Sequence, residues 1–134
     1  MQEYKPRKLF SLEEANRTLP LVSRIIGDIV RVNGEVLEAY GRVRALTEEG
    51  RRVKAEEAED ELRELVHQAE EHCDELAEIG CVCKDPSVGL VDFPARIERR
   101  IVFLCWKTGE PEIRYWHEIE AGFTGRKPVH GAFC

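Results

Sequence analysis

No apolar run in the sequence approaches the roughly 20 residues that cross a bilayer as a helix, and the opening Met-Gln-Glu-Tyr-Lys-Pro lacks the apolar core of a secretory signal. A membrane span is not expected, and the expected location is the cytoplasm. The chain carries no glycine-rich phosphate loop, no nucleophile elbow and no paired C-x-x-C, so phosphate-loop, α/β-hydrolase and zinc-ribbon chemistry have no sequence support. Nor is there an even set of cysteines: the five present, with no export signal, point to free thiols or a metal site rather than a disulfide framework.

The net charge of −6 is unevenly spread: residues 48–78 hold 13 acidic and 4 basic side chains, and the rest of the chain sums to +3. An acidic stretch of that density repels nucleic acid, so neither a nucleic-acid nor a membrane partner is expected. A length of 134 residues leaves room for one domain with a modest core.

Apolar residues recur in steps of three and four along Val22, Ile25, Ile29, Val32, Val36, Ala39, Val43 and Leu46, and again along Ala55, Ala58, Leu62, Leu65, Ala69, His72, Leu76 and Ile79. This period predicts two long helices folded into an antiparallel, coiled-coil-like hairpin about Gly50, with Val22 opposite Ile79 and Leu46 opposite Ala55. His72 is the one polar residue in the seam, read as a neutral histidine holding one hydrogen bond. Upstream, Ser11 and Glu14 have capping-box spacing and predict a helix start. Pro20 has no N–H to give Asn16, which favours a short helix over 10–19 before a hairpin over 20–79. Gly80 suits the left-handed terminator of the second arm.

The first arm carries a second feature. Gly27, Gly34 and Gly41 recur every seven residues beside Ile26, Val30, Leu37 and Tyr40, and each glycine costs about 1 kcal/mol relative to alanine in a helix. This back face predicts a homodimer through the Gly27/Gly34/Gly41 side, unless the chain's own C-terminal region covers it.

After Gly80 the texture shifts to short β-like runs at 81–83, 90–93, 101–106 and 113–118, predicting a small antiparallel sheet of three or four strands within 80–134, followed by irregular chain from Ala121. The expected fold is α+β, a single domain: a long helical hairpin followed by a small sheet packed on it.

Three segments carry a resemblance. Leu9-Phe10-Ser11-Leu12-Glu13-Glu14-Ala15-Asn16 with Leu19-Pro20, Gly89-Leu90-Val91-Asp92-Phe93-Pro94-Ala95 after Lys84-Asp85, and Leu104-Cys105-Trp106-Lys107-Thr108-Gly109-Glu110 through Tyr115-Trp116-His117-Glu118 to Gly122-Phe123-Thr124-Gly125-Arg126 together resemble a family of small prokaryotic proteins known only as a domain of unknown function. The resemblance spans nearly the whole chain and implies that the helix start and the sheet region form the characteristic pattern. It brings no activity with it.

The sheet region gathers the candidate ligand-binding residues Asp92, Glu110, Trp116, His117, Glu118 and Arg126. On the strand around 113–118, the period of two sets Tyr115 and His117 on one face and Trp116 and Glu118 on the other. His117 therefore needs Asp92 or Glu110 as its orienting carboxylate, and such a pair can act as a general base or hold a ligand, with Arg126 taking an anionic group. A metal alternative uses Cys81, Cys83, Cys105 and His117 as four zinc ligands, although the Cys81–Cys83 spacing is tighter than usual and the two do not belong to the family pattern. Trp106, Trp116, Tyr115 and Phe123 fit either an aromatic pocket or core packing. The leading expectation is a binding or protein-interaction module with the sheet as its recognition surface and no cofactor; the second is a small enzyme or metal-binding protein built on His117.

Overall fold

The computed structural model describes residues 4–130; residues 1–3 and 131–134, Gly131 among them, lie outside the description. Two long helices, α1 (Leu12–Glu48) and α2 (Arg52–Ile79), are followed by strands β1 (Val82–Asp85), β2 (Leu90–Ile97), β3 (Arg100–Lys107), β4 (Tyr115–Glu118) and β5 (Lys127–Pro128), with a 3-10 turn at Phe123–Gly125. The class is α+β, as expected. No helix among the described residues is long and apolar enough to cross a membrane.

The helix start is set by local chemistry. Ser11 Oγ accepts from the Glu14 amide at 3.0 Å and Glu14 Oε1 accepts from the Ser11 amide at 3.1 Å, closing the capping box. The hairpin seam forms as its period requires: every seam residue from Val22 to Leu46 and from Ala55 to Ile79 is buried or half-buried. Arg42 Nη2 reaches Glu61 Oε1 at 2.9 Å across the two arms. Gly50 (φ 72°) turns the chain and Gly80 (φ 110°) ends α2 in the left-handed conformation.

Pro20 does not divide the helix. The expectation of a separate segment over 10–19 is corrected: α1 runs unbroken for 37 residues with Pro20 inside it. Proline in a helix interior costs about 3 kcal/mol, but Ala15 before it and Val22, Ile25 and Ile26 after it all belong to one core cluster. A break would unseat one side of that cluster, and burying two or three such side chains outweighs the lost hydrogen bond.

The five strands form one antiparallel meander in the order β1-β2-β3-β4-β5. The basic segment 96–100, between the β-like runs at 90–93 and 101–106, lengthens both strands, since Ile97 pairs with Arg100 and only Glu98 and Arg99 connect them. Glu98 takes a positive φ of 54° there, the backbone that a two-residue hairpin turn demands. Lys127 and Pro128, expected as irregular chain, add a fifth strand on β4.

One face of the sheet packs on the helices. Val91, Phe93, Ala95, Val102, Leu104, Trp106 and Trp116 share a cluster with Val22, Ile25, Ile26, Ile29, Leu76 and Phe10. Phe10 meets Phe93 edge-on at 5.3 Å, and its amide donates to the Pro94 carbonyl at 2.7 Å, taking the edge of β2 that β1 leaves unpaired. Gly89 (φ 75°) lets α1 approach closely, because a Cβ there would collide with the Thr108 hydroxyl and come within 2.9 Å of Ile26 Cγ2. The sheet thus covers Ile26 and Val30 of the glycine-marked stripe. Leu37 and Tyr40, farther along α1, remain 62% and 54% exposed, with open space beside Gly34 and Gly41.

Candidate functional site

The other face of the sheet, turned away from the helices, holds the polar residues. Register decides which. Asp92 pairs with Cys105, Cys105 with Tyr115, and Phe103 with His117, so these side chains alternate with the helix-facing Phe93, Leu104 and Trp116 and share the outer face. The same period separates Trp116 and Glu118 from His117, as the sequence predicts. Trp116 goes into the helix-facing core, and Glu118 takes Arg100 in a charged pair at 2.6–3.1 Å.

Of the two carboxylates open to His117, the fold selects Asp92. His117 Nε2 lies 2.9 Å from Asp92 Oδ1, and the residues are only 2% and 1% exposed. On the other side of the ring, His117 Nδ1 donates to the Glu118 carbonyl at 2.6 Å. Burial pulls the imidazole towards neutrality, but hydrogen bonds with Asp92, the Cys105 side chain and the Glu118 backbone, reinforced by the Asp92 charge, outweigh it and raise its pKa to about 10. Phe103 lies against the imidazole at 5.6 Å between ring centres, and Tyr4 stands edge-on to Phe103 at 5.5 Å. The Tyr4 hydroxyl is pushed up by burial and by the charge of Asp92, which puts the N-terminal segment within electrostatic reach of the pair.

Glu110 belongs to a second cluster. Its Oε1 accepts from Arg126 Nη2 at 2.6 Å and from the Lys107 amide at 2.6 Å, while the same Nη2 also reaches the Cys105 carbonyl at 3.2 Å. The Arg126 guanidinium stacks between Tyr115 at 4.1 Å and Phe123 at 4.7 Å. Arg126 is thus spent on tying the last loop to β3 rather than turned outward to an anion, and its buried Nε has no hydrogen-bond partner among the described residues. Glu110 also lines a cavity of about 430 Å³ with Asn16, Leu19, Pro20 and Trp106. There Asn16 Oδ1 accepts from the Ile113 amide at 2.8 Å.

The four-ligand zinc set is corrected. Cys81 and Cys83 do share a face, but it is the helix-facing one: Cys83 pairs with Val91, and both cysteines lie in or against the helix-side core. Burial pushes the Cys81 thiol up to about 12 and the Cys83 thiol up to about 11, the behaviour of inert core cysteines. Cys105 is separated from them by the sheet itself. What gathers instead is Asp92, Cys105 and His117, all buried, with one potential ligand atom from each lying within 4.8 Å of the others. Cys105 could not be grouped with Asp92 from the sequence, because the two are neighbours only through the β2–β3 register.

A protein family described as an uncharacterized conserved protein (DUF2203) matches residues 8–129, and the chain belongs to that family. No curated protein and no solved structure matches it.

Proposed function

We propose that this member of the DUF2203 family is a cytoplasmic binding module that takes an acidic segment of a protein partner on the outer face of its sheet. One observation carries the reading: that face is left uncovered by the helices and sets cations over aromatic rings. Lys84 Nζ lies 5.3 Å from the Phe103 ring centre, and Lys107 Nζ lies 5.5 Å from that of Phe123, with Tyr4, Val82 and Phe123 exposed around them. Aromatic side chains beside positive charge supply both contact area and electrostatic steering for a carboxylate-rich partner. A cytoplasmic setting accords with Cys73, Cys81, Cys83 and Cys105 being free thiols.

The geometry favours binding over general-base catalysis by His117. A general base needs an accessible lone pair, whereas this imidazole is buried with both ring nitrogens engaged. Self-association is a second reading, favoured by the exposed Leu37 and Tyr40 beside Gly34 and Gly41; light scattering that gives a monomer mass would end it.

The test of the module is capture from host lysate, followed by titration of the captured partner's acidic segment as a synthetic peptide. Lys84→Glu with Lys107→Glu is expected to weaken that peptide at least tenfold, and raised salt to weaken it further. Binding indifferent to both changes contradicts the reading.

A further inference from the structure

We propose that the protein binds one divalent transition-metal ion of the zinc class through Asp92, Cys105 and His117. This inference is independent of the surface reading above. Three adjacent strands, β2, β3 and β4, each contribute one buried residue, and their potential ligand atoms lie within 4.8 Å of one another. The set comprises a carboxylate oxygen, a sulfur and an imidazole nitrogen, all of them donors that zinc accepts.

The hydrogen bonds around His117 orient it for that role. The Glu118 carbonyl can only accept, so Nδ1 carries a hydrogen, and in the neutral ring the Nε2 lone pair is aimed at Asp92. An Nδ1–H fixed on a backbone carbonyl is the arrangement that stands behind metal-bound histidines, since it sets both tautomer and ring orientation. The lone pair of Nε2 then meets a carboxylate oxygen at 2.9 Å. Two acceptors at that distance need a cation between them, which is either a proton or a metal ion.

Either occupant can leave the buried site neutral, a proton on Nε2 by balancing the Asp92 carboxylate with Cys105 as a thiol. A carboxylate, a thiolate and a neutral imidazole sum to two negative charges, which a divalent ion cancels while drawing on all three ligand atoms at once. Zinc bonds of about 2.0–2.3 Å place tetrahedral ligands roughly 3.3–3.7 Å apart, so the histidine and aspartate atoms, at 2.9 Å, separate by about half an ångström on loading, and the sulfur starts within 4.8 Å of both. Three protein ligands leave the fourth position for water or a small anion.

The test is a cobalt titration of the reduced, tag-free, chelator-stripped full chain. The expected result is one equivalent of Co²⁺ bound with a thiolate-to-cobalt charge-transfer band in the near ultraviolet, displaced by one equivalent of Zn²⁺. Cys105→Ser removes the band, and Asp92→Asn weakens binding roughly tenfold or more. A triple variant, Cys73→Ser with Cys83→Ser and Cys134→Ser, keeps the band and assigns the thiolate even if Cys105→Ser does not fold, because its other thiol, Cys81, lies in the helix-side core. The proposal is overturned if the folded wild type shows no thiolate band at one equivalent, if the band survives Cys105→Ser, or if the triple variant loses it.

Discussion

On one side of the sheet Val91, Phe93, Leu104 and Trp106 meet Phe10, Ile25 and Ile26 in a wholly apolar contact; on the other, Asp92, Cys105 and His117 are as deeply buried without a helix over them. The first kind of burial explains itself, since a sheet and a helical hairpin each have an apolar face to remove from water. The second does not. A small α+β fold has no structural need for a histidine and an aspartate on a face that ordinary outward-facing polar residues would serve, and burying them costs free energy unless they are paired. On the proposed metal-site reading, the difference separates what holds the fold from what the fold holds.

That comparison is sharpened first by deleting volume from the helix-facing side. Phe93→Ala is expected to cost about 3–5 kcal/mol, because the ring is fully buried in the core between sheet and helices, edge-on to Phe10. Urea unfolding with an unchanged denaturant slope checks it. Gly89→Ala comes next at about 2–4 kcal/mol, combining a left-handed backbone with the approach of Ile26. Chemical denaturation measures the loss, and a crystal structure of the variant should show α1 displaced from the β2 start.

Much of the helix-facing side was legible in the sequence. The seam period placed Val22 to Ile79, the Ser11–Glu14 box placed the start of α1, and Gly80 placed the end of α2, all through rules that act within a few residues. Pro20 misleads for the opposite reason. The local rule breaks the helix there, and only the tertiary cluster that joins Ala15 to Val22 and Ile25 keeps it whole. Arg96 and Arg100 likewise look like turn residues until pairing of Ile97 with Arg100 reduces the turn to two residues.

The outer face was half legible. A period of two set His117 apart from Glu118, but the choice between Asp92 and Glu110 depended on how β2, β3 and β4 align, and strand register is a long-range property. Register likewise separates Cys105 from Cys81 and Cys83, since Cys83 pairs with the helix-facing Val91 and Cys105 with the outward Asp92. The glycine stripe of α1 divides in a similar way: Ile26 and Val30 are covered by the sheet, and Leu37 and Tyr40 lie beyond it.

The smallest expected effect, that of a double variant, is the most telling. In metal-free protein, Asp92→Ala leaves His117 without its buried partner and is expected to cost about 3–5 kcal/mol, whereas Asp92→Val combined with His117→Leu removes the pair together and is expected to stay within about 1 kcal/mol of wild type. Urea unfolding of these two variants beside wild type is the direct measurement. Recovery of stability in the double variant is the predicted result and marks the pair as kept for binding; a double variant as unstable as the single would make the Asp92–His117 pair part of what holds the fold and contradict the account.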